Sequence, residues 1–546
     1  MPEASEQLDV MFPKLDDAQI ARLTVCASQR RTQPGEILFD LGDAAHGIFV
    51  VLDGSIEIVS VANATETIIR VVGNGEFTGE VVHLSGRRSL VRARTPEAST
   101  LLEIDRANLR RIMQLDAVLG DILLAAFLMR RVYLISHSVG DAVLIGSDHS
   151  GDTLRLREFL SRNGHPHTYL DVERDPDVQN VLDHFEIKVT DIPVLICRGR
   201  LVLRNPSNSE AADCFGLNEG IACVDLYDLV IIGAGPSGLA AAVYGASEGL
   251  NVLVVESNAP GGQAGSSSRI ENYLGFPTGI SGLDLASRAF LQAEKFGANI
   301  AVARSARAIK CDRPPYTVEI DDGRTVQGRS IIVAAGAQYR KLDLPNLAQF
   351  EGAGIYYGAT TVEAQLCKRE EVVIVGGGNS AGQAAMFLST FAKHVHVLVR
   401  GPGLADTMSR YLISRMEACR EITIRPWTEI EALEGDARLK RVRWRDSKSG
   451  TSETHEIQHL FLMTGARPNT AWLNGCLSLD SKQFIKTGTD LGSEWPLDRA
   501  PYLLETSRPG VFAVGDVRAG STKRVAAAVG EGSMAVQFVH RVLGGE

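Results

Sequence analysis

The sequence predicts a multidomain protein in which a β-roll and a small α/β unit precede two Rossmann-like α/β domains, the first of them interrupted by the second. Three observations predict it. Two glycine-rich turns, 233–238 and 376–382, each lie between a β-branched run and a run of small helix formers. From Pro34 to Ile104 short apolar strands alternate with glycines, the spacing of a roll or jelly roll. Between roll and first turn, strand and helix patterns follow in the order β-α-β-α-β-β.

A chain of 546 residues exceeds what one hydrophobic core serves, so several units are expected. The divisions read from the pattern are 1–137, 138–222, 223–341, 342–465 and 466–546, with the third and fifth forming one domain. A net charge of -10 and a pI near 5.7 argue against nucleic acid or an anionic membrane as the main partner. The opening MPEASEQLDVMF carries early acidic residues and no apolar core, so no signal peptide is read and the cytoplasm is expected. The most apolar helical stretch, Val118 to Leu134, is broken by Asp121, Arg130 and Arg131 and reads as a buried helix.

The eight cysteines are Cys26, Cys197, Cys214, Cys223, Cys311, Cys367, Cys419 and Cys476. None forms a CxxC pair, and buried small hydrophobes are the expected reading. No metal site is expected.

In the front unit, 34–39, 47–54 and 55–58 read as strands, followed by Phe77-Thr78-Gly79-Glu80 and then Arg87-Arg88-Ser89. This cassette resembles those of cyclic-nucleotide-binding domains of the catabolite-activator type, though Arg87 replaces their usual proline. The resemblance implies that Gly79 and Glu80 meet the ribose, that Arg88 and Ser89 hold the cyclic phosphate, and that cAMP or cGMP is an effector. A helix rather than a helix-turn-helix follows the roll, so DNA binding is not expected. That helix could instead pair subunits.

In the middle unit, strands are read at 141–146, 168–172, 190–196 and 199–203, with helices at 153–163 and 177–185. The order resembles a thioredoxin or glutaredoxin fold, with Pro193 at the family's cis-proline position. Ser150 and Thr153 stand where the redox cysteines would be. An alcohol stores no electrons as a disulfide, so a spacer or docking role is expected.

The first turn, Gly233-Ala234-Gly235-Pro236-Ser237-Gly238, follows the strand 227–232 and opens a helix. Gly233 permits the turn, Gly235 lets backbone approach a pyrophosphate, and Gly238 lets helix pack on strand. Glu256 ends the next strand, about twenty residues on, where a carboxylate can accept from ribose hydroxyls. The second turn, Gly376-Gly377-Gly378-Asn379-Ser380-Ala381, is followed by the strand 395–399 and then Arg400. A permanent, fork-shaped guanidinium there favours a 2′-phosphate, hence NADPH over NADH. Gly401 and Ala405 occupy places where more basic residues are usual, with Arg410 a potential substitute.

Other segments resemble the low-molecular-weight thioredoxin reductases. Gly262, Gln263 and Asn272 fall in their flavin-contacting loops, Gly336 in the return strand, and Gly515 and Asp516 where an acid meets the ribityl chain. Arg524 and Val525 start a helix at the flavin's pyrimidine edge, with Val525 replacing the usual glutamine. The resemblance implies FAD and a homodimer. Gly358 and Thr361, in Tyr357-Gly358-Ala359-Thr360-Thr361, stand where that family carries its redox cysteines. The expected function is therefore an FAD-dependent NAD(P)H oxidoreductase passing electrons directly to an acceptor: ferredoxin, a quinone, a small disulfide or oxygen. The alternatives are a disulfide reductase using thiols such as Cys197 and Cys367, or a nucleotide-responsive redox sensor or scaffold.

Overall fold

The computed structural model describes residues 9–44, 47–62, 65–80, 83, 87–136, 142–148, 150–175, 178–184, 187–188, 191–197, 201–218, 226–267, 269–405, 407–436, 438–473 and 475–545. Asp141, Thr190, Gly199, Cys223 and cassette positions 81–82 and 84–86 lie outside them.

Helix α1 (Asp17–Thr24) precedes β1 (Ser28–Arg31), β2 (Glu36–Phe39), β3 (Gly47–Asp53), β4 (Ile56–Ala62), β5 (Thr65–Val72), β6 (Arg92–Thr95) and β7 (Thr100–Asp105). They form two facing antiparallel sheets, β1-β7-β3 and β2-β6-β4-β5. Helices α2 (Arg106–Leu115) and α3 (Ala117–Ser136) close the roll. One face of α3 is buried: Leu119, Leu123 and Phe127 pack against Ile48, Phe77 and Leu102. Val118 and Val132 on its other side are exposed. Arg130 is buried over the Phe12 and Phe77 rings and donates to the Met11 and Gly79 carbonyls at 2.9 and 2.8 Å. Among the described residues, no helix is long and apolar enough to cross a membrane.

The middle unit comprises β8 (Ala142–Gly146), α4 (Gly151–Arg162), β9 (His167–Asp171), α5 (Val178–His184), β10 (Val194–Cys197), β11 (Leu201–Arg204) and α6 (Asn208–Cys214). Its sheet runs β11-β10-β8-β9, with β8 and β9 parallel and the other pairs antiparallel. The Ile192–Pro193 peptide is cis. Helix α4 starts two residues before the expected Thr153 because the Ser150 hydroxyl caps it, accepting from the Thr153 N–H at 3.3 Å.

Next come β12 (Tyr227–Ile232), α7 (Pro236–Ser247), β13 (Val252–Glu256), α8 (Gly262–Gly265), α9 (Gly282–Phe296), β14 (Asn299–Val302), β15 (Ala306–Lys310), β16 (Tyr316–Ile320) and β17 (Thr325–Val333). Strands β14, β13, β12 and β17 are parallel, and β16 and β15 add an antiparallel edge. The chain leaves this sheet at β18 (Ala337–Tyr339).

The second parallel sheet is built from β19 (Ile355–Tyr356), β20 (Glu371–Val375), β21 (His394–Val399) and β22 (Ile422–Pro426). The meander β23 (Thr428–Gly435), β24 (Leu439–Asp446) and β25 (Ser452–His455) is antiparallel, and β26 (His459–Leu462) returns to the parallel sheet. Helices α10 (Thr361–Leu366), α11 (Asn379–Leu388) and α12 (Arg410–Ala418) accompany it, with a single turn at Leu347–Phe350. Strand β27 (Ala466–Pro468) pairs antiparallel with β18, so the outgoing and returning crossings lie side by side. Strand β28 (Val511–Ala513) rejoins the first sheet parallel to β17, and α13 (Val525–Gly544) ends the chain, packed across α7.

Candidate functional site

The first turn has the geometry that its glycines require. Gly233 has φ +104°, and a Cβ there would lie 2.4 Å from the Ala334 carbonyl oxygen. A Cβ on Gly238 would come within 1.9 Å of the Gly233 oxygen, so α7 packs directly onto the turn. Gly235 has nothing within 4 Å of its absent Cβ, and its backbone faces open space. The 261–263 loop runs against it, with a Gly262 Cβ placed 3.1 Å from Gly235 Cα. Glu256 is buried. Its oxygens accept the Ala234 and Asn258 N–H groups at 2.7 and 2.8 Å, so part of the acceptor capacity assigned to a ribose already serves the backbone. Burial pushes its carboxyl above the usual range, against those two hydrogen bonds.

The C-terminal segment closes the other side. A Cβ on Gly515 (φ +70°) would lie 2.6 Å from Ser237 Oγ, and the Gly515 N–H donates to Glu531 at 2.6 Å. Arg518 also pairs with Glu531, at 2.6 Å. Burial raises the Asp516 carboxyl, while Lys523 opposes that shift and donates to the Asp516 carbonyl at 3.1 Å. Arg524 is the N-cap residue of the twenty-residue α13, so that helix begins at the site. Glu531 escaped the sequence reading. A lone carboxylate on an otherwise apolar helix was the available signal.

These parts enclose a cavity of about 1050 Å³. Gly233, Gly235, Pro236, Ser237 and Glu256 line one wall, with Gly262, Gln263, Asn272 and Gly336 beside them. Asp516, Arg524 and Val525 line another, and Asn379 and Ser380 reach it from the start of α11. Gly238 and Gly515 lie behind the wall as packing positions. Gly358 also lines the cavity, and the adjacent Ala359 bridges Ser267, which seats the 356–361 turn against the loop after Gly262. Exposed Thr361 does not line it. No cysteine does among the described residues.

The middle unit also reaches the cavity, which the sequence did not indicate. Gly151, Leu154, Arg155, Glu158 and Arg162, one face of α4, line it. Arg162 donates to the Gly262 carbonyl at 2.7 Å.

The second turn repeats the first. Gly376 has φ +148°, and a Cβ would meet the Met463 oxygen at 2.4 Å. Gly378 precedes α11 as its N-cap, Ala381 is fully buried, and Asn379 accepts the Ser409 N–H at 2.8 Å. Arg400 stands just past β21 with its side chain 87% exposed, 4.0 Å from Glu429. Neither it nor Gly376, Gly378 and Ala381 borders the cavity.

In the front unit, Gly79 (φ +108°) packs against Ile48 and Phe127. The Glu80 carboxylate is buried, with both oxygens 3.5 Å from Arg131 Nη1, so the proposed ribose acceptor already has a cationic partner. Arg88 donates to the Gly42 carbonyl at 2.7 Å. Ser89 Oγ is buried with no hydrogen-bond partner among the described residues. Arg87 turns away from the roll. It lies over the Phe290 ring and 3.9 Å from Glu294, both on α9.

Two pairs of cysteines correct the expectation of isolated buried thiols. Cys197 bonds Cys214, and Cys311 bonds Cys476. Cys197 lies on β10 and Cys214 on α6, while Cys311 and Cys476 lie in loops after β15 and Leu473, so no local spacing announces either pair. Cys367 lies in the turn after α10 rather than inside it, and burial pushes its thiol up to about 12.

Residues 227–532 match the pyridine nucleotide-disulphide oxidoreductase family, and residues 29–116 match the cyclic nucleotide-binding domain. The chain is 32% identical over 310 residues to the thioredoxin reductase of Mycolicibacterium smegmatis, covering 57% of this chain and 94% of that one. It is 31% identical over 316 residues to that of Bacillus subtilis (strain 168), covering 58% and 94%. The crystal structure of T. acidophilum thioredoxin reductase superposes with a TM-score of 0.53 at 28% identity, covering 59% of this chain and 99% of that one.

Proposed function

The chain belongs to the pyridine nucleotide-disulphide oxidoreductase family as a thioredoxin reductase-like flavoprotein carrying a cyclic nucleotide-binding domain, and from that premise we propose an FAD-dependent NAD(P)H oxidoreductase that serves its acceptor without a thiol relay. The supporting observation is the cavity: the 356–361 turn reaches it, yet no described cysteine lines it. The first turn suits FAD, since Gly235 leaves its backbone open and Gly233 and Gly238 tolerate no side chain. The second suits the pyridine nucleotide, with Asn379 and Ser380 pointing the start of α11 at the same cavity. When bound, FAD supplies a two-electron carrier that takes hydride from a reduced nicotinamide and yields electrons to an acceptor.

The chain's own residues bind and orient. The N–H groups at the start of α7 face the pyrophosphate position, Asp516 and Glu256 offer acceptors for hydroxyls, and α13 brings a helix N-terminus to the far end. Arg400 is free in reach to meet a 2′-phosphate, which makes NADPH the preferred coenzyme and NADH the weaker one. The position of Cys197, Cys214 and Cys367 outside the cavity lining and the raised Cys367 thiol weigh against a disulfide reductase built on those sulfurs.

The five-part division of the chain, a thioredoxin-like middle unit, a cytoplasmic homodimer and control by cAMP or cGMP belong to the same proposal. The strand order supports the thioredoxin-like fold. Control is supported by the Arg87 and Arg131 contacts, which tie the cassette to both neighbouring units. Anaerobic rapid mixing with NADPH tests the enzyme: the flavin absorbance band bleaches within turnover time, and a band that stays oxidised refutes it.

A further inference from the structure

The helix α4 is fastened to both nucleotide-binding units at once. At its start, Gly151 meets Gly352 backbone to backbone, so closely that a Cβ on Gly352 would lie 2.7 Å from Gly151 Cα. One turn on, Leu154 is buried with Tyr356, Ala359 and Cys367. Arg155 donates to Asn208 at 2.8 Å, and Asn208 donates to Asn258 of the first nucleotide unit at 2.9 Å. At the other end Arg162 holds the Gly262 carbonyl. The cavity-facing residues 151, 154, 155, 158 and 162 recur at helical spacing, so the whole length of the helix forms one wall.

A relay of thiols can carry electrons from a buried flavin to a protein docked outside. This cavity offers no such relay among the described residues, so its acceptor must enter. A redox-protein partner needs an interface of up to about 600 Å² on each side, and α4 already occupies this face. The whole cavity, FAD and nicotinamide positions included, measures about 1050 Å³, the scale of small-molecule pockets, which measure about 300–1,000 Å³. Tyr273, Tyr357 and Trp472 border the cavity as aromatic groups against which a planar ring can pack.

We infer that α4 is a built-in wall that restricts the acceptor to small planar molecules of the quinone class and excludes redox proteins. The inference rests on the oxidoreductase reading above. The reaction balances without sulfur: one reduced nicotinamide gives a hydride, solvent gives a proton, and the quinone takes two electrons and two protons to leave as the quinol, with oxidised nicotinamide as the other product.

The test uses the FAD-loaded full chain under anaerobic conditions with NADPH and two forms of one benzoquinone, free and coupled by a short tether to albumin. The free quinone is expected to turn over, and the albumin-bound form to show a kcat/KM at least about tenfold lower, equivalent to about 1.4 kcal/mol of barrier. Arg162→Ala, which releases the helix from Gly262, is expected to narrow that gap. Gly352→Ala provides a second variant that forces the Gly151 contact apart, and FAD content reports whether each variant folds. Equal rates with both forms in the unaltered chain, or a gap unchanged in both folded variants, overturn the inference. Failure of NADPH to bleach the flavin overturns instead the reading beneath it.

Discussion

Arg131 joins Glu80 to the middle unit: its Nη1 lies 3.5 Å from both Glu80 oxygens while its Nη2 donates to the Gly164 carbonyl at 2.6 Å. Gly164 lies just past the end of α4, so the cassette and the cavity wall share one arginine. A ribose hydroxyl at Glu80 would compete with this guanidinium. Calorimetry with cAMP and cGMP should therefore show tighter binding in Arg131→Ala than in the unaltered chain, and loss of heat in Arg88→Ala. Coupling of about 1–3 kcal/mol is typical of allosteric sites, so NADPH oxidation should change several-fold when the ligand is added. Absence of heat in every form would remove the cyclic nucleotide from the account.

His83 should make the front unit acid-sensitive. It is buried, its Nδ1 accepts the Glu80 N–H at 3.1 Å, and burial lowers its pKa to about 4. The unfolded chain protonates it near pH 6.5. Between those values the unfolded state binds more protons, so stability falls as pH falls from about 6.5 to 4, by about 3 kcal/mol in all. Denaturant midpoints measured across this window should flatten in His83→Gln.

Gly238→Ala should cost flavin rather than fold. The added methyl would meet the Gly233 carbonyl at 1.9 Å and push α7 off the turn proposed to face the pyrophosphate. Overpacking of this kind costs about 1–3 kcal/mol, which predicts a protein with native far-ultraviolet dichroism and a fluorescence-titrated FAD affinity lower by about ten- to a hundredfold. Full FAD occupancy at unchanged affinity would contradict the assigned role of the turn.

Coenzyme choice should depend on Arg400. Its side chain is extended into solvent with Glu429 as its nearest ionic neighbour at 4.0 Å, so it can turn to a phosphate at little cost. A hydrogen bond to a charged group contributes about 1.5–3 kcal/mol. Arg400→Ala is expected to raise KM for NADPH by about tenfold or more with kcat and the NADH constants little changed. An equal loss with both coenzymes would place the 2′-phosphate elsewhere.

Cys367 should be inert. With a thiol pKa of about 12, it is almost wholly protonated at pH 8. Mass spectrometry after native alkylation should find Cys367 unmodified while partly exposed Cys419 is labelled, and Cys367→Ser should keep its turnover. Rapid labelling at Cys367 would revive a thiol-based mechanism.

The two glycine turns were legible because their requirements are local. A left-handed φ at Gly233 and a missing Cβ at Gly238 are properties of a strand-turn-helix of a few residues, and sequence spacing states them directly. The succession of strands and helices along the middle unit was legible in the same way, and the place of the cis Pro193 followed from the resemblance. Helix boundaries moved by one or two residues where a cap decided them, as Ser150 does for α4. The cysteine pairs were not legible, because Cys197 and Cys214 meet only when a strand and a helix pack together and Cys311 and Cys476 are 165 residues apart in sequence.

By itself, then, the amino-acid order determined where the two strand-glycine turn-helix units lie and that Gly358 and Thr361, not cysteines, occupy the 357–361 segment. Only the tertiary structure decided that Arg162 grips Gly262, that Glu80 is already paired, and that a helix from the middle unit walls the cavity. Backbone conformation is set by neighbours along the chain and leaves a periodic trace. Contacts between units depend on how separately folded surfaces fit, and no spacing within either unit encodes that fit.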